Sequence, residues 1–359
     1  MNKTDNKSSV TPSVNGQIEL LRFLFCMSVL FFHAEKYLLG EPDRLGSFTP
    51  YFFVHGAIGV EFFFVCSGFF MARSLKKDLA RDPGRDIGDA SVSFFLHKVR
   101  SIAPVHVVFF ILAFISLVIS RGMELKMILK SAVESVPAFL LIQMLGFKGF
   151  SPNHFSWYLS VMLFSMFVIY PFARKFYSVF VKVIAPSAGL FILGFLFLKY
   201  GSLTGVMVKT GIFYKSMLRG FAEILIGMAA YEIAEWAAHK DPARKVRIII
   251  TIANFATLIL LGIYIMHTLS AKYEFFAVPA SVFLLITAYS RLGVLNRFAD
   301  NKVCVYLGKL SLPVYMAQNT ALNIISIYKE DLSFVLNTVL FAVCVFAMAW
   351  AFSTLTKRS

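Results

Sequence analysis

The first apolar run, 18–39 (IELLRFLFCMSVLFFHAEKYLL), carries two residues able to do chemistry, Arg22 and His33. Ionisable side chains in hydrocarbon cost at least a few kcal/mol each, so they read by default as functional, against the plainer reading of groups that snorkel or bond to a neighbouring helix. Eleven residues make three helical turns, which sets the two side chains about 20° apart around one helix and roughly 16 Å apart along it. A guanidinium suits phosphate or carboxylate oxygens. A neutral imidazole suits removal of a hydroxyl proton. The next run, GVEFFFVCSGFF, adds Glu61 and Ser67. If the two helices pack, the carboxylate would orient the imidazole; a structural hydrogen bond to a neighbouring helix is the competing reading of Glu61.

Polar residues also interrupt the later apolar runs. Lys98 and Arg100, with His97, open the third and are placed to hold phosphate oxygens at a membrane surface. Arg81 and Arg85, in a loop shared with Asp78, Asp82, Asp86 and Asp89, read instead as solvated topogenic charges. SPNHFSWYLSVMLF puts His154, Trp157 and Tyr158 at an interface, where they form an aromatic belt or a platform for a sugar. In YKSMLRGFAEILIGM, Lys215, Arg219 and Glu223 recur every four residues on one face, so Arg219 and Glu223 pair internally or line a cavity. Gln318 and Asn319 follow Pro313 in one run, where amides serve as interhelical glue or face a cavity.

The elements that must position these residues are membrane helices. With 58% hydrophobic residues, 40 Phe and a mean hydropathy of +0.72 in 359 residues, the chain is an all-α polytopic membrane protein. The first run is long enough to span and lacks the exit of a cleaved signal, so it stays as an anchor. Cys26, Cys66, Cys304 and Cys344 lie in apolar segments and outline neither a disulfide framework nor a metal site. The net charge of +15 sits in short loops beside apolar spans, which points to topology and anionic headgroups or ligands rather than nucleic acid.

About ten spans are expected: 18–39, 52–72, 93–118, 155–173, 178–199, 212–235, 247–268, 274–290, 304–326 and 333–355. A further segment, 127–145, is interfacial or re-entrant. If it does not span, the inside loops hold 22 Lys and Arg and the outside 11, with both termini cytoplasmic. If it spans, the later loops invert and the bias is lost, so the positive-inside rule favours ten helices. Residues 1–16 read as a disordered tail and 17–359 as one transmembrane domain. Arg22 then lies near the cytoplasm, His33 nearer the outside, Glu61 near mid-depth and Ser67 deeper towards the inside. Pro104 is expected to kink the third helix beside a cavity.

In this order the motifs resemble the acyltransferase 3 family of integral-membrane O-acyltransferases. They are Arg22 and His33, Gly59 to Phe69 as G-V-[DE]-x-F-F-x-x-S-G-F, a basic residue before Ile102 and Pro104, Trp157 to Ser160 as W-x-L-S, Glu223 to Met228, and Leu307 to Tyr315. Two positions depart: Ser101 stands where the family's basic motif ends in Arg, and Gln318 where a histidine commonly follows the Tyr. The resemblance implies transfer of an acyl group, often acetyl, from cytoplasmic acyl-CoA, a substrate and not a bound cofactor, to a hydroxyl of an envelope glycan, glycolipid or similar acceptor at a bacterial plasma membrane. It carries a catalytic role to His33, with Glu61 orienting it. Arg22, Ser67, Arg73, Lys98 and Arg100 are then candidates for acyl-CoA, and Trp157, Arg219 and Gln318 for the acceptor. The competing class is a transporter or flippase of a polar or lipid-linked solute, in which the buried charges form a relay. Against it, the halves of the chain show no internal repeat.

Overall fold

The computed structural model describes residues 14–39, 52–147, 149–328 and 332–356. They form α1 (Gly16–Ala34), α2 (Gly59–Arg81), α3 (Ile87–Arg121), α4 (Leu125–Glu134), α5 (Val136–Phe139), α6 (Trp157–Lys175), α7 (Tyr177–Val179) and α8 (Ala185–Tyr200). There follow α9 (Lys215–Ala238), α10 (Arg244–Met266), α11 (Ala277–Tyr289), α12 (Asn296–Ala299), α13 (Lys302–Ile325) and α14 (Phe334–Leu355). One ribbon pairs β1 (Lys209–Thr210) with β2 (Phe213–Tyr214), antiparallel. The tail expected over 1–16 lies outside the described residues as far as position 13. Asn15 then caps α1, its side chain accepting from the Ile18 N–H at 3.1 Å.

Among the described residues, eight helical stretches are long and apolar enough to cross a membrane: 16–39, 56–81, 87–121, 154–175, 177–200, 244–266, 271–289 and 334–355. The other two expected spans, α9 and α13, are 24 residues each, about 36 Å of helix. Their sequences are less apolar because they face protein rather than lipid. Arg219 is 3% exposed, and Glu223 and Gln318 are 0%. By contrast α14 and α10 turn Val335, Val343, Trp350, Ile249, Ile252 and Phe255 outwards, as lipid-facing helices should.

The two interior helices each pair with a helix that carries chemistry: α9 packs on α2, and α13 on α1. Small residues let backbones meet. A Cβ on Gly68 would fall on the Ile224 carbonyl oxygen and one on Gly227 on that of Val65, so glycine is needed on both sides of the α2–α9 contact.

The segment 127–145 does not cross. The ten residues of α4 reach only about 15 Å, none of them is buried, and Leu125, Met127, Leu129 and Val133 are exposed. The chain then makes the single turn α5 and a 3₁₀ turn at Gln143–Leu145. α3 runs as one helix through Pro104. The turn after α2 is more than a solvated loop. Buried Arg174 binds the Asp78 carboxylate at 2.6 Å and donates to the carbonyls of Asp82 and Arg85, while Arg81 and Arg85 also approach Asp78.

Candidate functional site

Two cavities enter the bundle from opposite ends of α1, and Val60 and Tyr315 belong to the walls of both. The first, about 560 Å³, is lined by His33, Lys36, Tyr37, His154, Trp157 and Arg219 among others. The second, about 360 Å³, is lined by Arg22, Ser67, Lys98, Ser101, Tyr158 and Ser311 among others.

His33 stands in the last turn of α1, buried, its ring stacked on Phe155 at 3.9 Å between centroids and 16° between planes. Its Nδ1 meets Gln318 Oε1 at 2.7 Å. An Nδ1–H that donates to the amide oxygen leaves the lone pair on Nε2, the tautomer a base needs. The turn that follows Pro313 in α13 builds the floor under this ring. Tyr315 OH donates to the Phe155 carbonyl at 3.0 Å, Asn153 Nδ2 to that of Met316 at 2.9 Å, and Asn319 Nδ2 to that of Pro152. Gln318 and Asn319 therefore act together, one on the imidazole and one on the loop beneath it.

Glu61 does not reach His33. Its carboxylate, 2% exposed at the start of α2, lies 2.8 Å from Arg219 Nη2. The reason is helix order: α2 presents this residue to α9, where a guanidinium compensates its charge, while His33 faces α13. Arg219 Nη1 donates to the Leu203 carbonyl at 2.8 Å, and the guanidinium lies 5.3 Å from the Trp157 ring centroid and 6.0 Å from that of Phe64. Glu223, one turn on, is 3.9 Å from Arg219 Nε, so the internal pair is secondary to the one with Glu61. Neither Glu223 oxygen has a hydrogen-bond partner among the described residues.

In the second cavity Arg22 pairs with Glu19 at 2.8 Å and keeps 30% of its side chain exposed. Ser67 Oγ lies 3.1 Å from Tyr158 OH, which donates to the Phe63 carbonyl at 3.2 Å. Lys98, Ser101 and Ile102 line the wall at i, i+3 and i+4 of α3. Two expected members lie elsewhere. Arg100, about 200° round the helix from Lys98, is exposed and does not line this cavity. Arg73, about 240° from Ser67 on α2, stacks over Tyr289 at 5.7 Å and is also outside the lining. Ser101 itself lines the cavity.

Lys36, Phe155, Ser311 and Tyr315 are lining residues that the residue-by-residue reading passed over as candidates. Lys36 had a signal, three residues from His33 and hence on its face. Tyr315 closes a motif that the sequence displays, but Phe155 is one phenylalanine among 40.

Residues 15–358 match the model of the acyltransferase 3 family, described as an acyltransferase domain. No curated protein and no solved structure matches the chain.

Proposed function

Because the chain belongs to the acyltransferase 3 family and is therefore a membrane acyltransferase, we propose that it moves an acyl group, acetyl in the first instance, from cytoplasmic acyl-CoA to a hydroxyl of an envelope carbohydrate or similar acceptor. One observation carries this reading: the cavity that holds His33 and the cavity that holds Arg22 and Lys98 share Val60 and Tyr315 in their walls. A phosphate-bearing donor and a hydroxyl-bearing acceptor can approach from opposite ends and need share only the boundary.

On this reading Arg22 and Lys98 hold CoA phosphates at the cytoplasmic mouth, Ser67 lines the slot for the pantetheine arm, and the thioester lies against Tyr315. The acceptor occupies the His33 cavity. His33 Nε2 takes the hydroxyl proton as the oxygen attacks the thioester carbon. The tetrahedral intermediate expels the CoA thiolate, and the imidazolium returns the proton so that free thiol departs. Gln318, not Glu61, sets the tautomer. Glu61 has a different task, to hold Arg219 in the wall behind Trp157. Arg73 and Arg100 drop out as direct CoA ligands. The 22 to 11 distribution of Lys and Arg supports cytoplasmic termini in a bacterial plasma membrane.

The test is release of CoA thiol from acetyl-CoA by the purified protein with acceptor-containing envelope extract. His33→Ala should abolish the acceptor-dependent release and leave acyl-CoA binding intact. Unchanged transfer in that variant would remove the proposed base. Concentrative solute uptake into vesicles without acyl-CoA would favour the transport reading instead.

A further inference from the structure

Among the described residues, the charged side chains that line the His33 cavity are Lys36 and Arg219, with no Asp or Glu beside them. Lys36, at the exposed mouth, has no carboxylate within 4 Å among the described residues; its Nζ lies 5.8 Å from the ring centroids of Phe32 and of Tyr37. Arg219, at depth, gives one N–H to the Leu203 carbonyl, faces Glu61 with Nη2 and has Glu223 3.9 Å from Nε, an ion pair without a hydrogen bond among the described residues. A guanidinium carries five N–H donors, so the second N–H of each Nη remains beyond these contacts.

Among the described residues, Lys215 and Glu274 are bound to the backbone and side chains of this wall. Lys215 donates to Ser202 Oγ at 2.9 Å and to the Thr204 carbonyl, and Glu274 accepts the Leu203 and Thr204 N–H groups. These contacts fix the strip Thr204 to Met207 that walls the cavity. Glu61 and Glu223, which pair with the guanidinium, are not among the lining residues. Trp157, Tyr37 and His154 supply flat surfaces between the two cations, the surfaces on which sugar rings rest.

We propose that the acceptor is an acidic carbohydrate unit, one whose carboxylate or phosphate oxygens lie between Lys36 and Arg219 while a hydroxyl of the same unit faces His33. This rests on the acyl-transfer reading and narrows its acceptor class. Anion binding there adds oxygens that a neutral sugar lacks, and the Lys36 ammonium with the remaining Nη N–H groups of Arg219 recognise them by charge-assisted hydrogen bonds. Lys36, at the mouth, accelerates capture and holds the guest; Arg219 sets its depth.

The experiment uses the full chain in detergent with acetyl-CoA and matched probes: glucuronate and glucose 6-phosphate, each against glucose. Acylation of the probe and its inhibition of transfer to envelope extract are both measured. At least one anionic probe should act at about one-tenth the concentration that glucose requires, a difference of about 1.4 kcal/mol. Which of the two prevails separates a carboxylate guest from a phosphate guest. Lys36→Ala should raise the apparent KM or inhibition constant of that probe about tenfold and leave that of glucose unchanged, and Lys36→Arg should restore it. Equal behaviour of charged and neutral probes, no effect of any probe, or a Lys36→Ala protein that keeps the full preference overturns the proposal. If His33-dependent transfer to extract persists in those cases, acyl transfer stands and only the acidic acceptor falls. If no acyl-CoA-dependent transfer occurs at all, the reading beneath it fails first.

Discussion

Replacing Gln318 by leucine isolates the imidazole's orientation from everything else in the site. The 2.7 Å contact with His33 Nδ1 is buried and is the side-chain hydrogen bond that fixes the ring. Leucine is close in size to glutamine and cannot accept. The Nδ1–H would be stranded in a dry site, a loss of about 1 to 3 kcal/mol. At about 1.4 kcal/mol per factor of ten, kcat should fall by about fivefold to about 150-fold. Folding should change much less, because Gln318 Nε2 itself has no hydrogen-bond partner among the described residues and leucine removes that unsatisfied donor as well. The KM for acyl-CoA should hold, since Arg22 and Lys98 line the other cavity. Thiol release under saturating acetyl-CoA, followed beside a thermal unfolding curve, reads both quantities. A Gln318→Leu protein of normal stability with unaltered kcat would refute the assignment of Gln318 as the residue that sets the His33 tautomer. A change confined to the acyl-CoA KM would refute the division of the site into two cavities.

Three further outcomes follow from the same geometry. Lys98→Ala should raise the acyl-CoA KM roughly tenfold, in line with loss of one charge-assisted contact, whereas Arg100→Ala, on the exposed face, should leave it unchanged; steady-state kinetics on both variants decides this. Glu61→Ala strands a buried guanidinium and should cost about 3 to 5 kcal/mol of stability, seen as a large drop in the thermal midpoint, and Glu61→Asp should recover part of it. Gly68→Ala drives a methyl group into the Ile224 carbonyl and must push α2 from α9, so thermal stability should fall by about 1 to 3 kcal/mol, while Gly84→Ala, where a Cβ meets nothing within 4 Å, should be neutral.

Much of the architecture can be read from residue order alone. The bias of Lys and Arg between alternate loops identified 127–145 as a segment that does not cross, and the three-turn spacing of Arg22 and His33 placed them in separate places along one helix. Partnerships were harder to read. His33 finds Gln318, 285 residues away, because α1 lies along α13, and nothing local in either helix states that adjacency. Depth along neighbouring spans points Glu61 towards the imidazole if α1 and α2 present those faces to each other, yet α2 turns it to Arg219 on α9. Helical phase misled in the same way on α3. Lys98 and Arg100 look like equals in a string, but which of them meets the cavity depends on how the whole helix is rotated against its neighbours, and that rotation is set by packing along 35 residues.

The Val60 and Tyr315 boundary has an electrical consequence. A continuous aqueous passage from one membrane face to the other would conduct ions and dissipate the potential, at about 2.3 kcal/mol per elementary charge for each 100 mV. Two distinct cavities that share Val60 and Tyr315 in their walls are not such a passage. On the proposed chemistry, the atoms that cross are those of an uncharged acyl group, which does no work against the field, while the polyanionic nucleotide stays on the side where it is made. The bilayer thus remains an insulator while a covalent bond is exchanged across it.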